Sequence, residues 1–545
     1  MRKLLAAIVL SAALMSCTNV NEGVGGDFIA TNLKYTFYTT EFDLDDIWMK
    51  PADSLSAYSS RRINFGAIRD DVYGLTQRGC VVTLVPCTKT VNLGDNPVFK
   101  KFKFQATIDS VSVSERDQSN ILQNVNVYAL DEPIDPNKYF SRTEVKHGTE
   151  RITKGVPIVN GSDSLSFEFT REFGSQYLGI TDSDMEDFER YSKKFPGIYI
   201  TTDPPAGNGG RFNMFNLNIL ESTSTSYSNR TDNYAVLYYT STFKGEKKDT
   251  SLMFYFSPLQ FQDLDSLILL NATPDQYVFN VDYHDSGYLT GKAGNEIYVE
   301  GGSGMKPVIS AEEIRRVVRN HITANGGNPV TALITKATVE LPFEFPDDYM
   351  DMYLFPDILS PTIKISSDSA VAFAGLTDAS ASSENQGDIN RSLCVYAPDV
   401  THHVQQIIRK DENENVSDYD IWFLIMHVET TTTTDAEASQ MASYYQQLAY
   451  YSYYNQLYGG YGGYGGYGGY GGYGGYGGYG YGYGGYGYNN YYNYMMMAQY
   501  AASSASSTST SAEMDKDRYY DLRLNGPASS GRKPKLKVTY ALPKE

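Results

Sequence analysis

Alternating apolar and polar positions dominate the chain and predict β-strands. Because successive side chains of a strand point to opposite faces, an apolar residue at every second position marks a strand with one buried face. Gly, Pro, Asn and Asp separate the runs, which is typical of antiparallel sheets. The runs lie at residues 102–108, 125–129, 165–169, 236–238, 339–345, 363–365, 522–524 and 536–540.

Two departures from simple alternation add detail. The parity changes at Asp109-Ser110, which predicts a bulge or a strand end at that point. Residues 421–426 are apolar at both parities. That run predicts a strand covered on both of its faces.

Helical patterns are few. Residues 183–186 read as a capping box that opens a helix to about Lys194, and residues 310–313 open a second helix with an apolar face. Residues 400–409 predict a third, shorter helix. We therefore expect an all-β fold of two antiparallel β-sandwich, jelly-roll-like domains, with a few short helices and one long disordered Gly/Tyr-rich loop.

The length of the chain requires more than one hydrophobic core. At about 150 residues per domain, and near 200–250 for all-β domains, 545 residues predict two folded units. Helix and strand breakers between Tyr255 and Asn280 favour a boundary there. The expected units are residues 34–256 and residues 275–545.

A low-complexity block interrupts the second unit at residues 436–512. Its centre repeats Tyr-Gly-Gly, and glycine loses much backbone entropy on ordering. Loop closure costs little more as a loop lengthens, so an insertion between two strands is tolerated. Two interpretations stay open, an adhesive or self-associating loop and a neutral repeat expansion. The tyrosines available for ligand binding or self-association are Tyr458, Tyr461, Tyr464, Tyr467, Tyr470, Tyr473, Tyr476 and Tyr479.

The first residues predict a lipid anchor. Arg2 and Lys3 precede an apolar run at residues 4–14, which is typical of a secretory signal and is too short to span a bilayer. Leu14-Met15-Ser16-Cys17 is similar to a bacterial lipobox, so we expect residues 1–16 to be removed and Cys17 to be acylated. Residues 17–33 then form a tether. An ordinary cleavable signal is the alternative.

Charge and residue inventory exclude several functions. With 64 acidic and 45 basic residues the net charge is −19, which argues against nucleic acid as a partner. The histidines lack metal-binding spacing and predict surface or capping roles. Gly301 to Gly304 predicts a flexible turn, because a phosphate loop would need a following Lys-Ser/Thr pair. We expect no cofactor, no metal and no catalytic constellation, although a glycosidase carboxylate pair stays possible among so many acids.

Cys80 and Cys87 flank a predicted strand. At 3.3 Å per residue their α-carbons would lie roughly 23 Å apart on one extended segment, with side chains on opposite faces. We expect free, buried thiols, and a disulfide only if the segment folds back.

Several short segments, taken in order, resemble a family of Bacteroidota lipoproteins grouped as domain of unknown function family 4270. The resemblance covers most of residues 50–545 apart from the Gly/Tyr block, and it implies an envelope lipoprotein with no established activity. The segments are Asp53-Ser54-Leu55, Phe65-Gly66-Ala67, Asp70-Asp71-Val72-Tyr73-Gly74, Ala106-Thr107-Ile108-Asp109-Ser110-Val111, Val127-Tyr128-Ala129-Leu130, Phe195-Pro196-Gly197-Ile198-Tyr199-Ile200, His284-Asp285-Ser286-Gly287, residues 332–342 and Pro534-Lys535-Leu536-Lys537-Val538-Thr539-Tyr540.

Two further expectations accompany this resemblance. Asp-Ser followed by an apolar residue is similar to the O-glycosylation motif of that phylum, although Asp-Ser also begins strands by turn hydrogen bonding. The candidate serines are Ser54, Ser110, Ser164, Ser266 and Ser369. Thr18 after the lipidated cysteine indicates the outer membrane, and the neutral residues 18–21 favour its periplasmic face over the cell surface.

The expected function is that of a non-enzymatic outer-membrane lipoprotein, an envelope binding or structural component. Its partners would be the membrane, through the lipid, and envelope proteins or polysaccharide. One alternative is a glycan-binding surface module that uses exposed tyrosines. Another is a glycan-active hydrolase.

Overall fold

The structure is a computed structural model that describes residues 35–53, 55–135, 141–221, 229–256, 260–270, 272, 274–367, 370–378, 386–432 and 508–543. Over these ranges the chain is mostly β, with antiparallel sheets and few short helices, so the predicted all-β class is confirmed. The signal, Cys17, the tether and the Gly-Gly-Tyr repeats lie outside the described residues.

The strands of the amino-terminal half are β1 (Tyr35–Asp43), β2 (Ile47–Pro51), β3 (Tyr58–Ser59), β4 (Arg62–Asp70), β5 (Gly74–Val82), β6 (Leu84–Pro86), β7 (Asp95–Ala106), β8 (Ile108–Val113), β9 (Gln123–Leu130), β10 (His147–Arg151), β11 (Ile158–Val159), β12 (Leu165–Glu168), β13 (Ile198–Thr202), β14 (Gly209–Asn216), β15 (Leu220–Glu221), β16 (Asn229–Arg230), β17 (Tyr234–Phe243), β18 (Glu246–Phe256) and β19 (Val278–His284).

The remaining strands are β20 (Gly291–Lys292), β21 (Glu296–Glu300), β22 (Met305–Ile309), β23 (Leu333–Pro342), β24 (Ile358–Ser367), β25 (Ala370–Gly375), β26 (Ile389–Asn390), β27 (Val395–Tyr396), β28 (Ile421–Thr432), β29 (Thr508–Met514), β30 (Asp521–Asn525) and β31 (Lys535–Pro543). The helices are α1 (Arg171–Gln176), α2 (Asp182–Glu186), α3 (Phe188–Lys194), α4 (Leu264–Leu269), α5 (Ala311–Ala324) and α6 (Thr401–Arg409). Short 3-10 turns include Arg116–Asn120, Ser286–Leu289 and Tyr349–Tyr353.

The first hydrophobic core is rich in aromatic rings from two sheets. One sheet has the order β10-β9-β13-β5-β4-β14-β8 with β19 beside β5, and the other has the order β12-β7-β17-β18-β6. Phe102 and Phe104 of β7 contact Phe254 and Phe256 of β18, with ring centroids 5.2 and 4.9 Å apart. These rings share one buried cluster with Phe65 of β4, so both sheets face the same core.

The second core is mainly aliphatic and includes helices. Its sheets have the orders β1-β31-β23-β27-β26 and β20-β2-β22-β28-β24-β25. Val318 of α5 and Ile407 of α6 are buried in the same cluster as Val339 of β23 and Phe423 of β28. The two helices therefore contribute side chains to this core.

Strand pairing crosses the predicted division of the chain. β1 pairs over its whole length with β31, from Tyr35 opposite Pro543 to Asp43 opposite Lys535, and Ile47 of β2 is buried in the second core. Conversely, β19 lies in the predicted second unit but pairs with β5 of the predicted first unit, and Val278 of β19 is buried in the first core. The division into units 34–256 and 275–545 stays a prediction, and these ladders join residues from its two sides.

Local predictions hold with small shifts. The predicted helix at 183–194 is divided in two at Asp187, whose side chain accepts hydrogen bonds from the first backbone N–H groups of α3. The capping box uses Thr181 and Asp184, two residues earlier than predicted, since Thr181 supplies the side-chain acceptor. The second predicted helix begins after Ser310 as expected. The predicted irregularity is also found, because the register of β8 against β14 shifts between Ile108, opposite Phe215, and Ser110, opposite Met214.

The low-complexity insertion is attached to a paired hairpin. β28 and β29 pair from Met426 opposite Met514 to Thr432 opposite Thr508. Residues 508–512, at the end of the predicted insertion 436–512, form backbone pairs with β28. The chain leaves the described structure at Thr432 and returns at Thr508 as neighbouring strand partners.

Candidate functional site

Polar side chains on one face of β19 begin a buried cluster between the two cores. Because side chains alternate along a strand, Asn280, Asp282 and His284 share a face, and each residue is less than a tenth exposed. Asp282 lies opposite Arg78 of β5 in the antiparallel register. We call the charged group at this place the polar junction, and it consists of Arg78, Asp282, His284, Glu300 and Lys306.

Arg78 is completely buried and is held by three different groups. Its Nε donates to Oδ1 of Asp282 at 3.0 Å, and its Nη1 donates to the backbone carbonyl oxygen of Asp517. The guanidinium carbon lies 4.5 Å from the ring centroid of Phe212, a cation–π distance. Burial alone would raise the pKa of Asp282, but the adjacent guanidinium holds that pKa far below its usual range.

His284 links two carboxylates. Its Nδ1 lies 3.1 Å from Oε1 of Glu300, and its Nε2 lies 3.5 Å from Oδ2 of Asp282. Burial alone would lower the pKa of His284, but the two carboxylates raise it. Burial likewise would raise the pKa of Glu300, yet the imidazolium lowers it. The arrangement therefore favours a protonated histidine between two ionised acids.

The Gly-Gly-Ser-Gly turn wraps around a lysine. Nζ of Lys306 donates to the backbone carbonyl oxygens of Glu300, Gly302 and Gly304 at 2.6, 3.0 and 3.3 Å. Burial lowers the pKa of Lys306 to about 7, although Glu300 and Asp282 oppose that shift. The predicted turn is present, and all four of its residues are buried. The carbonyl oxygens point at a cation of the chain itself, which is the opposite of a phosphate loop.

Gly302 shows why this turn needs glycine. Its φ is +52°, in the left-handed region that other residues rarely adopt. A β-carbon there would also collide with the carboxylate of Asp282, whose Oδ2 accepts the backbone N–H of Ser303 at 2.9 Å. The turn and β19 are therefore fitted closely together.

The return segment, residues 515–520, joins the same region. It carries the chain from the insertion hairpin to β30, and Nζ of Lys516 donates to the carbonyl oxygen of Tyr58 at 2.8 Å. The carbonyl oxygen of Asp517 accepts from Nδ2 of Asn64 at 2.8 Å as well as from the buried guanidinium. Parts of the chain more than 400 residues apart in sequence are thereby tied together.

The hydrogen-bond pattern does not assemble a nucleophile. Ser286, His284 and Asp282 are the residue types of a serine hydrolase triad, in which histidine must contact the serine hydroxyl. Here Oγ of Ser286 donates to Glu300, and both ring nitrogens of His284 face carboxylates. The charged groups of the polar junction bind one another and backbone carbonyl oxygens of the chain.

Little space adjoins these groups. Arg78, His284 and Glu300 line a crevice together with Tyr519 and Tyr520, and this crevice has no room for a water molecule. Small-molecule sites usually take about 300–1,000 Å³. The chemistry of the polar junction therefore suits internal attachment better than ligand binding.

The predicted site residues do not converge on one place. Ser164 and Ser266 are exposed and Ser110 is partly exposed. Ser110 lies inside β8, whereas Ser266 lies inside α4 instead of at the start of a strand. Ser54, Ser369, Cys17 and the eight tyrosines of the repeat lie outside the described residues.

The cysteine prediction is confirmed, and the histidine prediction is wrong in part. Cys80 and Cys87 are free and buried, and burial raises the pKa of both thiols. His284 and His403 are buried, not surface residues. Nε2 of His403 contacts the carbonyl oxygen of Tyr419 at 2.8 Å, and burial lowers the pKa of His403 to about 4.

Sequence reasoning missed the polar junction, although one signal was available. Along residues 278–284 the polar residues Asn280, Asp282 and His284 fall on the same face as the buried, apolar Val278. A strand with one solvated face normally keeps its polar residues on the face opposite its buried apolar residues. The signal shows that Asn280, Asp282 and His284 share a face. It does not show which distant residues they meet.

Comparisons with known proteins identify no family for this chain. No protein-family model, no curated protein and no solved structure matches the chain. Among the described residues, no helix has the length and apolar character needed to cross a membrane. The family resemblance noted above therefore stays a prediction.

Proposed function

We propose that this chain is a non-enzymatic, lipid-anchored component of the outer membrane that works by contact. In this account Cys17 carries the acyl chains, and the two β-cores form a scaffold that holds the insertion between Thr432 and Thr508. The periplasmic face of the membrane is the proposed location, in keeping with the neutral residues 18–21. The proposed partners are envelope proteins or polysaccharide.

One observation carries the scaffold part of the proposal. The polar junction consumes its charges internally and binds the return segment that follows the insertion. An ionised group that must act on a substrate needs access to it. The groups of the polar junction instead bind one another, the Gly-Gly-Ser-Gly turn and the return segment. Such contacts make this part of the fold rigid.

The geometry also suits transmission of force or position. The insertion begins and ends on paired strands, and the next six residues after β29 are fixed to β3 through Lys516 and to β4 through Asn64. A load on the insertion would therefore reach both cores. A binding or structural component of the envelope needs such a connection.

The anchor is tested by mass spectrometry of the chain purified from its own envelope. We expect a mature N-terminus at Cys17 that carries fatty acyl groups, and a Cys17→Ser variant that lacks them and leaves the membrane fraction. A wild-type N-terminus without lipid would refute the anchor. Affinity purification of the anchored chain after cross-linking tests contact, and recovery of no envelope protein or polysaccharide would refute that part.

A further inference from the structure

The most exposed paired aromatic rings among the described residues lie on the 3-10 turn Tyr349–Tyr353. Tyr349 and Tyr353 are 49% and 58% exposed. Their hydroxyl oxygens are 3.1 Å apart, and their rings meet at 89° with centroids 5.8 Å apart. The hydrogen bond between them raises the pKa of Tyr349. Two large rings, perpendicular to each other and joined by a hydrogen bond, are thus exposed to solvent.

The turn is anchored from below and at its start. Met352, between the two tyrosines, is buried in the second core. Asp348 caps the turn by accepting the backbone N–H of Met350 at 2.8 Å. The tyrosines therefore stay about half exposed on a turn that is held in place, which lowers the entropic cost of binding.

Fixed polar groups surround the rings. Arg116 of the first unit donates to Asp348 at 2.5 Å and to Asp351 at 3.1 Å. On the other side the guanidinium carbon of Arg391 lies 5.4 Å from the ring centroid of Tyr353, and this arginine pairs with Asp357 at 3.1 Å. Carboxylate oxygens, guanidinium N–H groups and phenol hydroxyls thus lie on this turn or contact it.

We propose that Tyr349 and Tyr353 form a subsite for a sugar ring of a neutral polysaccharide. The C–H face of a pyranose is apolar and stacks on an aromatic ring, while its hydroxyl groups need donors and acceptors at the rim of that ring. Both kinds of group are fixed here. The inference deepens the proposed function by naming the ligand class, and it rests on that function only for the location where polysaccharide is met.

Charge and size favour this occupant over others. The carboxylates of Asp348, Asp351 and Asp357 outnumber the two arginines, Arg116 and Arg391, so a polyanion would be repelled. A stable protein interface usually takes about 20–30 residues on each side. Two rings with a polar rim match one or two sugar units better than a protein surface.

The test uses affinity electrophoresis of the full chain in detergent, in gels that contain β-glucan, galactomannan, α-mannan, xylan or polygalacturonate. We expect at least one neutral polysaccharide to retard the wild-type chain. Tyr349→Ala and Tyr353→Ala should each weaken that binding about tenfold, since each removes a stacking surface. Tyr349→Phe, which keeps the ring, should weaken it by about threefold or less.

Phe37→Ala is the matched control, because Phe37 is an exposed aromatic residue at 64% on β1 without a paired exposed ring. It should bind as the wild type does. Unchanged urea midpoints would show that all variants fold. Three results would overturn the subsite: no retardation by any neutral polysaccharide, retardation by polygalacturonate alone, or binding unaffected by both alanine variants. None of them bears on the lipid at Cys17, so the subsite and the anchor fail separately.

Discussion

Two arginines, Arg78 of β5 and Arg211 of β14, are completely buried in the same sheet, and their partners differ. Arg78 pairs with the carboxylate of Asp282, a residue from another part of the chain. Arg211 meets only neutral oxygens, among them Oδ1 of Asn213 at 2.7 Å and the carbonyl oxygens of Ser119 and Ile121 at 2.8 and 2.7 Å. Burial lowers the pKa of Arg211 to about 10, so it stays charged at neutral pH.

The comparison separates two uses of a buried positive charge. Carbonyl dipoles around Arg211 fix nearby loops onto β14, which is a local task. The ion pair of Arg78 joins β5 to β19 and, through Asp517, to the return segment. A buried pair is expensive to break, because removal of one partner leaves the other charge without compensation. The polar junction should therefore matter for the whole molecule, and Arg211 for one region.

The largest expected effect comes from Arg78→Met. This change leaves the buried Asp282 carboxylate without its guanidinium partner, and we expect a loss of about 3–5 kcal/mol in the free energy of unfolding. Arg211→Met leaves only neutral carbonyl groups, some of which can regain water, and should cost about 1–3 kcal/mol. Urea unfolding of both variants measures the difference. Equal losses in the free energy of unfolding would contradict the proposed difference between the two arginines.

Gly302→Ala should have the next largest effect. The new β-carbon meets a left-handed backbone and the Asp282 carboxylate together, with an expected cost of about 3 kcal/mol. Gly326→Ala is the control, because its φ of +78° is also left-handed but its surroundings are open. That change should cost about 1 kcal/mol from backbone strain alone. If the two midpoints in urea shift equally, the close fit at the turn contributes nothing.

Much of the fold could be predicted from the sequence, because burial along a strand is a local signal. Residues 421–426 were predicted to be covered on both faces, and Trp422 to Ile425 are all buried. The polar junction could not be predicted in the same way. Arg78 and Asp282 become neighbours only when β5 and β19 pair, and Asp517 arrives after the insertion. The exposed tyrosine pair also depends on burial of Met352, which the pattern around it does not indicate.

A smaller, pH-dependent effect distinguishes His284 from His403. The raised pKa of His284 means that its protonated form stabilises the fold fully below about pH 6.5, the usual pKa of histidine. This contribution disappears as the pH rises through the higher pKa of the folded chain. His403, with its pKa lowered to about 4, contributes above about pH 6.5 and loses that contribution as the pH falls towards 4.

The two histidines are compared by urea unfolding from pH 4.5 to pH 9. The stability difference between the wild type and His284→Gln should shrink on the alkaline side, and the difference for His403→Gln should shrink on the acid side. Glu300 and Asp282 contact His284, so the difference for His284→Gln includes the change in their own titration. A His284 difference that grows with pH would contradict the protonated state between the two carboxylates.

The smallest effect is expected at Arg116. Its ion pairs with Asp348 and Asp351 also connect the two units, but they are largely exposed and screened by water and salt. Arg116→Ala should leave the urea midpoint unchanged within error. A large shift would mean that surface pairs, and not the polar junction, hold the two cores together.

The polar junction should make the two cores unfold as one. The chain carries separate reporters for this, because Trp48 and Trp422 lie on strands of the second core while the buried thiols of Cys80 and Cys87 lie in the first. Urea unfolding is followed by tryptophan fluorescence and by mass-spectrometric labelling of the two thiols. The account predicts coincident transitions in the wild type and separate ones in Arg78→Met. Separate transitions in the wild type, or coincident ones in the variant, would contradict it.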